Sequence, residues 1–99
     1  MDIKTRVDGN KTRVSLSGAI DIPGAETLKT SLDPIIAGHC TELTLDFAGV
    51  NFIGSSGIGK LLMIYKDFTA SGGRMSIINV NKEIAMVFQD AKLDKLFNI

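Results

Sequence analysis

Over residues 43–68 the apolar positions change their spacing once, and that change dictates what the chain can become. Leu43, Leu45 and Phe47 alternate with Thr44 and Asp46, the pattern of a strand with one buried face. From Ile58 onward the apolar positions recur as Leu61, Leu62, Tyr65 and Phe68, at i+3, i+4, i+7 and i+10, one stripe of an amphipathic helix. Only NFIGSSGIGK, residues 51–60, lies between them. A strand that runs into a helix is the unit from which α/β domains are built.

The rest of the chain repeats the alternation. IKTRV and TRVSLSG are short β-type runs around Asp8-Gly9-Asn10, whose Asp-Gly and Gly-Asn dipeptides predict a hairpin. Val14 and Leu16 alternate with Ser15 and Ser17, and Gly18 releases the chain into AIDIPGAET. From about Gly24 to Ala37, Leu28, Leu32, Ile35 and Ile36 predict a first helix, kinked or shortened at Pro34 and ended by Gly38. Ser71-Gly72-Gly73 stops the second helix and RMSIINV reads as a strand. Asn81 is the expected N-cap of a third helix, KEIAMVFQDA, with Ile84, Val87 and Phe88 as its stripe. The tail, LDKLFNI, is expected to close as a short last strand. The predicted order is ββαβαβα: an α/β fold with a mixed sheet of four to five strands and helices mainly on one face.

Residues 1–99 are expected to form a single domain, and a hydrophobic content of 44% suffices for one core. Lys+Arg and Asp+Glu each total 11 and are scattered along the chain. No basic excess therefore points to nucleic acid or to an anionic membrane, and a neutral surface suits a protein that docks on another. The one cysteine, Cys40, forms no internal disulfide, which agrees with a reducing cytosol. No apolar run approaches the ~20 residues of a membrane span. MDIKTRVDGNK lacks the apolar region of a signal peptide, so the expected location is cytoplasmic.

Read from Gly54 to Lys60, the loop spells GxxxxGK and invites comparison with a phosphate-cradling P-loop. That motif needs a Ser or Thr after the lysine to hold Mg²⁺, and the residue there is Leu61, a member of the core stripe. No later strand ends in an acidic residue to supply a second ligand. The dinucleotide fingerprint GxGxxG is missing as well, because the glycines run GxxGxG. Nucleotide binding is thus a minor reading of the loop.

The serines give two others. Ser55 and Ser56 stand where loop becomes helix, where small hydroxyl residues cap free N–H groups. Helix N-termini also attract anions. A phosphate on such a serine would be held by its own helix and add about −1.5 to −2 charges, enough to repel a partner docked over the loop.

LTLDFAGVNFIGSSGIGKLL is similar to the signature of the STAS domain family, in particular the bacterial anti-sigma factor antagonists. In that signature a strand leads into D-hydrophobic-x-x-V-x-F-hydrophobic-D-S-[ST]-G-[LI]-G-x-L. GAIDIPGAETL resembles the family's G-x-[IL]-D segment before its first helix. GGRMSIINVNKEIAMVFQDAKLDKLFNI resembles its last strand, last helix and short end, so the likeness extends over residues 3 to 98.

The resemblance implies a regulatory protein, not an enzyme, with no cofactor and no metal. In these antagonists the serine after the loop aspartate is phosphorylated by an anti-sigma factor that is also a serine kinase of the histidine-kinase-like ATPase fold. Unphosphorylated antagonist sequesters that kinase and frees the sigma factor; a serine phosphatase resets the cycle. Ser55 matches the phosphorylated serine and Ser56 its hydroxyl neighbour, the alternative site. Asp21 matches the acidic residue of the G-x-[IL]-D segment, expected near the serine loop. Gly54 replaces the family's aspartate. The implied docking surface runs from Asp21, Ile22 and Pro23 across Gly54, Ser55, Ser56 and Gly57 to Ile58 and Lys60, on a monomer or weak dimer. STAS proteins also serve as non-phosphorylated subunits of lipid-transport complexes, which is the alternative.

The remaining features read as ordinary. His39 and Cys40 have no further ligands at metal spacing, and a single histidine at a predicted turn builds no catalytic triad. Met63 and Met75 read as filler in or beside the core, Met86 as exposed and Tyr65 as core rim. Lys60 and Lys66 read as solvated, with Lys60 also placed to meet an acidic partner or a phosphate on the loop. Ile20, Ile22 and Pro23, together with Ile58, would form a docking patch if exposed. Asp46 either fixes loop backbone or faces solvent.

Overall fold

The computed structural model describes all 99 residues. Strands β1 (Asp2–Asp8) and β2 (Lys11–Ile20) form the expected antiparallel hairpin, with Asp2 opposite Ser17 and Asp8 opposite Lys11. Gly9 takes φ 61 at the turn, a conformation that L side chains adopt only with strain. Strands β3 (Glu42–Ile53) and β4 (Arg74–Ile78) then add in parallel, giving a mixed sheet in the order β1-β2-β3-β4. Helices α1 (Ile22–Ala37) and α2 (Ser55–Ala70) are the two crossovers, and α3 (Lys82–Asp90) follows β4. Both crossovers step the same way across the sheet, so their right-handedness puts α1 and α2 on one face.

The core lies between that helix layer and the sheet. Val14, Leu16, Leu43 and Leu45 face Leu28 and Leu32 of α1 and Leu61, Ile64 and Phe68 of α2, all fully or nearly fully buried. Phe88 brings α3 to the same side, with its ring centroid 6.2 Å from that of Phe47. The opposite face of the sheet is polar and open.

Several boundaries differ from expectation for identifiable reasons. Helix α1 starts two residues before Gly24, because Asp21 caps it and Pro23 suits its first turn. It runs one turn past Pro34 to Gly38, so the proline does not shorten it. Strand β4 ends at Ile78 because Asn79 turns to φ 59. The tail forms no fifth strand: Lys92 and Asn98 adopt φ near 60°, and Phe97 N–H and Ile99 N–H bond back to Leu93 and Asp94 carbonyls. It folds instead as turns that drive Phe97 into the core, edge-on to Tyr65 at 5.3 Å and to Phe88 at 5.6 Å. Met75 is buried and Met86 exposed as read, whereas Met63 lies on the solvent side of α2 rather than in the core.

Candidate functional site

Parallel strands β2 and β3 end side by side, with Ile20 paired to Ile53, and each turns directly into a helix. The N-termini of α1 and α2 therefore emerge together beyond the carboxyl ends of the strands, the usual place for a site in an α/β sheet. Gly54 N–H donates to the Ile20 carbonyl at 3.1 Å and locks the two turns together. Asp21, Ile22 and Pro23 from one turn, and Phe52, Gly54, Ser55 and Ser56 from the other, line an open depression of about 360 Å³.

Two glycines allow this closeness. A Cβ on Gly24 would run into the Ala19 carbonyl, and one on Gly57 would stand 2.6 Å from Ile20 Cγ2 and 2.9 Å from the Ile20 carbonyl oxygen. Gly57 is thus a buried seat for the first turn of α2, not a surface residue. Gly54 is different. Its backbone is extended (φ −98, ψ 179), and an added Cβ would meet nothing nearer than the Phe52 ring at 3.4 Å.

The two helix starts are electrostatically unequal. Asp21 Oδ1 accepts the Gly24 N–H at 2.8 Å and neutralises the start of α1. Helix α2 has Gly54 at its N-cap, no side-chain cap and no acidic residue in its first turn. Ser55 and Ser56 are its first two residues, exposed, with hydroxyls that do not cap; the reading of them as a capping pair fails because they lie inside the helix. The positive end of the α2 dipole and its free N–H groups are left open beside Ser55.

Lys60 does not turn toward the loop. Its Nζ lies 3.2 Å from Glu26 Oε1 and ties α2 to α1 across their second turns, so it is paired rather than solvated. Leu61 is fully buried, as its place in the stripe requires. Both observations count against a phosphate cradle built on GxxxxGK.

Beside the serines the surface is apolar. Ile22 is 69% exposed and Phe52 51% exposed, and the exposed Pro23, next to Ile22, lines the same depression. Ile20, expected in this patch, is instead wholly buried, and Ile58 is half-buried against the core. Phe52 was missed from the sequence, although a period-two count continued from Leu45 places residue 52 on the open side of the strand. Strand β3 holds one extra residue between Asp46 and Gly49 and another between Val50 and Phe52 relative to β2, which turns Val50 rather than Gly49 and Asn51 toward the core.

Asp46 lies away from the serine loop. Its Oδ2 accepts from Arg13 Nη2 at 2.8 Å, and Oδ1 accepts from Ala48 N–H at 2.9 Å and Asn79 Nδ2 at 3.1 Å. The Arg13 hydrogen bond chiefly, then the Ala48 amide and Asn79, hold its carboxyl below the ordinary range against the opposing effect of burial. Asp46 therefore fixes the bulge of β3 and joins β2 to β4. His39 is exposed on the turn before β3, and the half-buried Cys40 Sγ donates to the Glu42 carbonyl at 3.2 Å.

Comparison with known proteins agrees with this fold. An anti-sigma F factor antagonist from Paenibacillus polymyxa is 29% identical over 87 residues, covering 87% of this chain and 74% of the relative. An anti-sigma-B factor antagonist from Bacillus subtilis is 22% identical over 99 residues, covering all of this chain and 90% of the relative. The unphosphorylated form of the anti-sigma factor antagonist SpoIIAA superposes with a TM-score of 0.82 at 21% identity, over 99% of this chain and 98% of that one. The phosphorylated form of the Bacillus SpoIIAA gives 0.76 at 24% identity, over 95% and 86%. These structures share the four-stranded mixed sheet and helix layer. The family model for the STAS domain matches residues 2–99, and the chain belongs to that family.

Proposed function

We propose that this chain is an anti-sigma factor antagonist that works by partner switching in the cytoplasm, as a regulator rather than an enzyme. The observation that carries this reading is the pairing at one site of an exposed Ser55, at an uncapped helix start, with the exposed Ile22–Pro23–Phe52 surface. The names of the relatives agree with it. In the unphosphorylated state the apolar surface, Gly54, Ser55 and Ser56 dock on an anti-sigma factor that is also a serine kinase of the histidine-kinase-like ATPase fold. Asp21 and Gly57 shape that surface, and Ile58 and Lys60 brace it from behind.

The kinase transfers the γ-phosphoryl group of ATP to Ser55 Oγ, the hydroxyl proton is lost and ADP leaves. The new phosphate lies against the free N–H groups of α2, so the helix holds it rather than melting. A docked partner would then have to desolvate about two negative charges beside Phe52 and Ile22, and it dissociates. Hydrolysis by a serine phosphatase restores the binding surface. Ser55, at the first helical position, is favoured over Ser56.

Calorimetric titration with the cognate anti-sigma kinase tests this. Wild type and Ser55→Ala bind alike, whereas Ser55→Asp binds at least about tenfold more weakly, a difference of ~1.4 kcal/mol. Equal affinity for all three proteins sinks the switch and leaves a non-phosphorylated binding subunit. Loss in Ser56→Asp but not in Ser55→Asp moves the site to the neighbour.

A further inference from the structure

The open face of the sheet carries a second arrangement, on the side opposite Val14, Leu16 and Leu45. The register stacks residues in rows across the strands. One row runs Asp8, Lys11, Glu42, Arg74, and the next runs Arg6, Arg13, Thr44, Ser76. The first alternates in sign and pairs internally, with Lys11 Nζ 3.3 Å and Arg74 Nη1 3.8 Å from Glu42 carboxylate oxygens. The second contains no carboxylate. It sets two guanidinium groups directly opposite each other on neighbouring strands, where like charges are destabilising.

The chain offsets only one of these two charges, through Asp46 beside Arg13. Arg13 gives one nitrogen to Asp46 and keeps the rest of its fork free; its side chain is half exposed. Arg6 is exposed and makes no ion pair. No carboxylate reaches Arg6: Asp46 is taken up by Arg13, Ala48 and Asn79, and Glu42 by Lys11 and Arg74. Asp8 alone stands at the margin, opposite Lys11. A depression of about 540 Å³ opens over the row, lined by Arg6, Asp8, Lys11, Arg13 and Thr44 among others.

We infer that this row is a binding site for a small oxyanion of the phosphate or sulfate class, held between the forks of Arg6 and Arg13 with Thr44 Oγ1 beside it. Guanidinium forks match tetrahedral oxyanions with paired hydrogen bonds, and an anion between them turns the repulsion into attraction from both sides. Thr44 Oγ1 and Ser76 Oγ, 3.4 Å apart, add hydroxyl donors along the same row. The depression has no aromatic platform and Val7 is the one apolar side chain in its lining, so recognition is confined to the oxyanion itself.

The test is an NMR titration of the full chain with inorganic phosphate at pH 7, ionic strength being held constant with chloride so that screening does not change. Saturable shifts are expected at the amides of Arg6, Arg13 and Thr44, with a dissociation constant on the order of 1 mM. Arg6→Gln should weaken binding about fivefold or more, and Arg6→Lys, which keeps the charge but not the fork, should fall between. Thermal melts give a second reading. Phosphate raises the wild-type midpoint above that in chloride, and the rise disappears in Arg6→Gln while its own midpoint in chloride stays at or above wild type. Shifts that never saturate, shifts centred on Ser55–Gly57 instead of the sheet, or unchanged affinity in Arg6→Gln would each overturn the inference. So would attachment to anionic phospholipid vesicles with no response to inorganic phosphate.

Discussion

Alanine at Gly57 separates the steric seat of α2 from helix propensity, because the two effects have opposite signs. Ala is favoured over Gly inside a helix by up to about 1 kcal/mol, so propensity alone makes Gly57→Ala stabilising. The new Cβ, however, would lie 2.6 Å from Ile20 Cγ2, 2.9 Å from the Ile20 carbonyl oxygen and 2.9 Å from Ile53 Cγ1. The carbonyl cannot yield freely, since it accepts the Gly54 N–H at 3.1 Å. Overpacking of this kind costs about 1–3 kcal/mol, which leaves a net loss of up to about 2 kcal/mol. Gly59, in the same helix, is the control. Nothing would stand within 4 Å of its Cβ, so Gly59→Ala should gain about 0.5–1 kcal/mol. Urea unfolding followed by circular dichroism should show the midpoint fall for one variant and rise for the other at unchanged slope. On melting, each kcal/mol corresponds to roughly 4–8 °C. If Gly57→Ala proves as stable as Gly59→Ala, the first turn of α2 is not seated on the end of β2, and the placing of Ser55 argued above is wrong.

Three further substitutions probe other parts of the account. Gly54→Asp restores a cap that α2 lacks, at a position with room for it, and should raise stability by a few tenths to about 1 kcal/mol in thermal melts; a loss would mean that the helix start is already satisfied. Asp46→Asn removes a carboxylate that accepts three hydrogen bonds and should cost about 1–3 kcal/mol near neutral pH. Because the folded pKa of Asp46 is lowered, its contribution is complete above the unfolded value of ~3.9 and is lost as pH falls through the folded one; the gap between wild type and variant should close only on that acid side. Phe97→Ala should cost about 3–5 kcal/mol in urea unfolding if the tail is a core plug, and well under 1 kcal/mol if it merely lies on the surface.

What the sequence disclosed and what it hid follow from how far each signal reaches. Periodicity is local, and it located both crossover helices, the hairpin and the burial of Leu61 without any tertiary information. It fails at a bulge, because an extra residue moves the next side chain to the other face. The two bulges in β3 shift the inward positions from Phe47 to Val50 and again to Ile53, so Val50 is buried and Asn51 exposed against a strict alternation, whereas Phe52 stands in the open by either count. Asp21 was legible as an acidic neighbour of the loop, but its capping of α1 depends on where that helix begins. Lys60 read as solvated because Glu26 lies in another helix and no spacing rule connects them. In the tail, Leu93, Leu96, Phe97 and Ile99 resemble a strand in composition. Left-handed backbone at Asn98, which asparagine tolerates, and at Lys92, which lysine does not announce, turns it inward instead.

The switch at Ser55 is the centre of the account, and phosphate mapping of the protein taken from its own cells tests it most directly. Intact-mass measurement followed by peptide mapping should find two populations, unmodified chain and chain carrying one phosphate on Ser55, in a ratio that shifts when the kinase or the phosphatase is deleted. A chain unmodified under every such condition, or one modified only at Ser56, would contradict it.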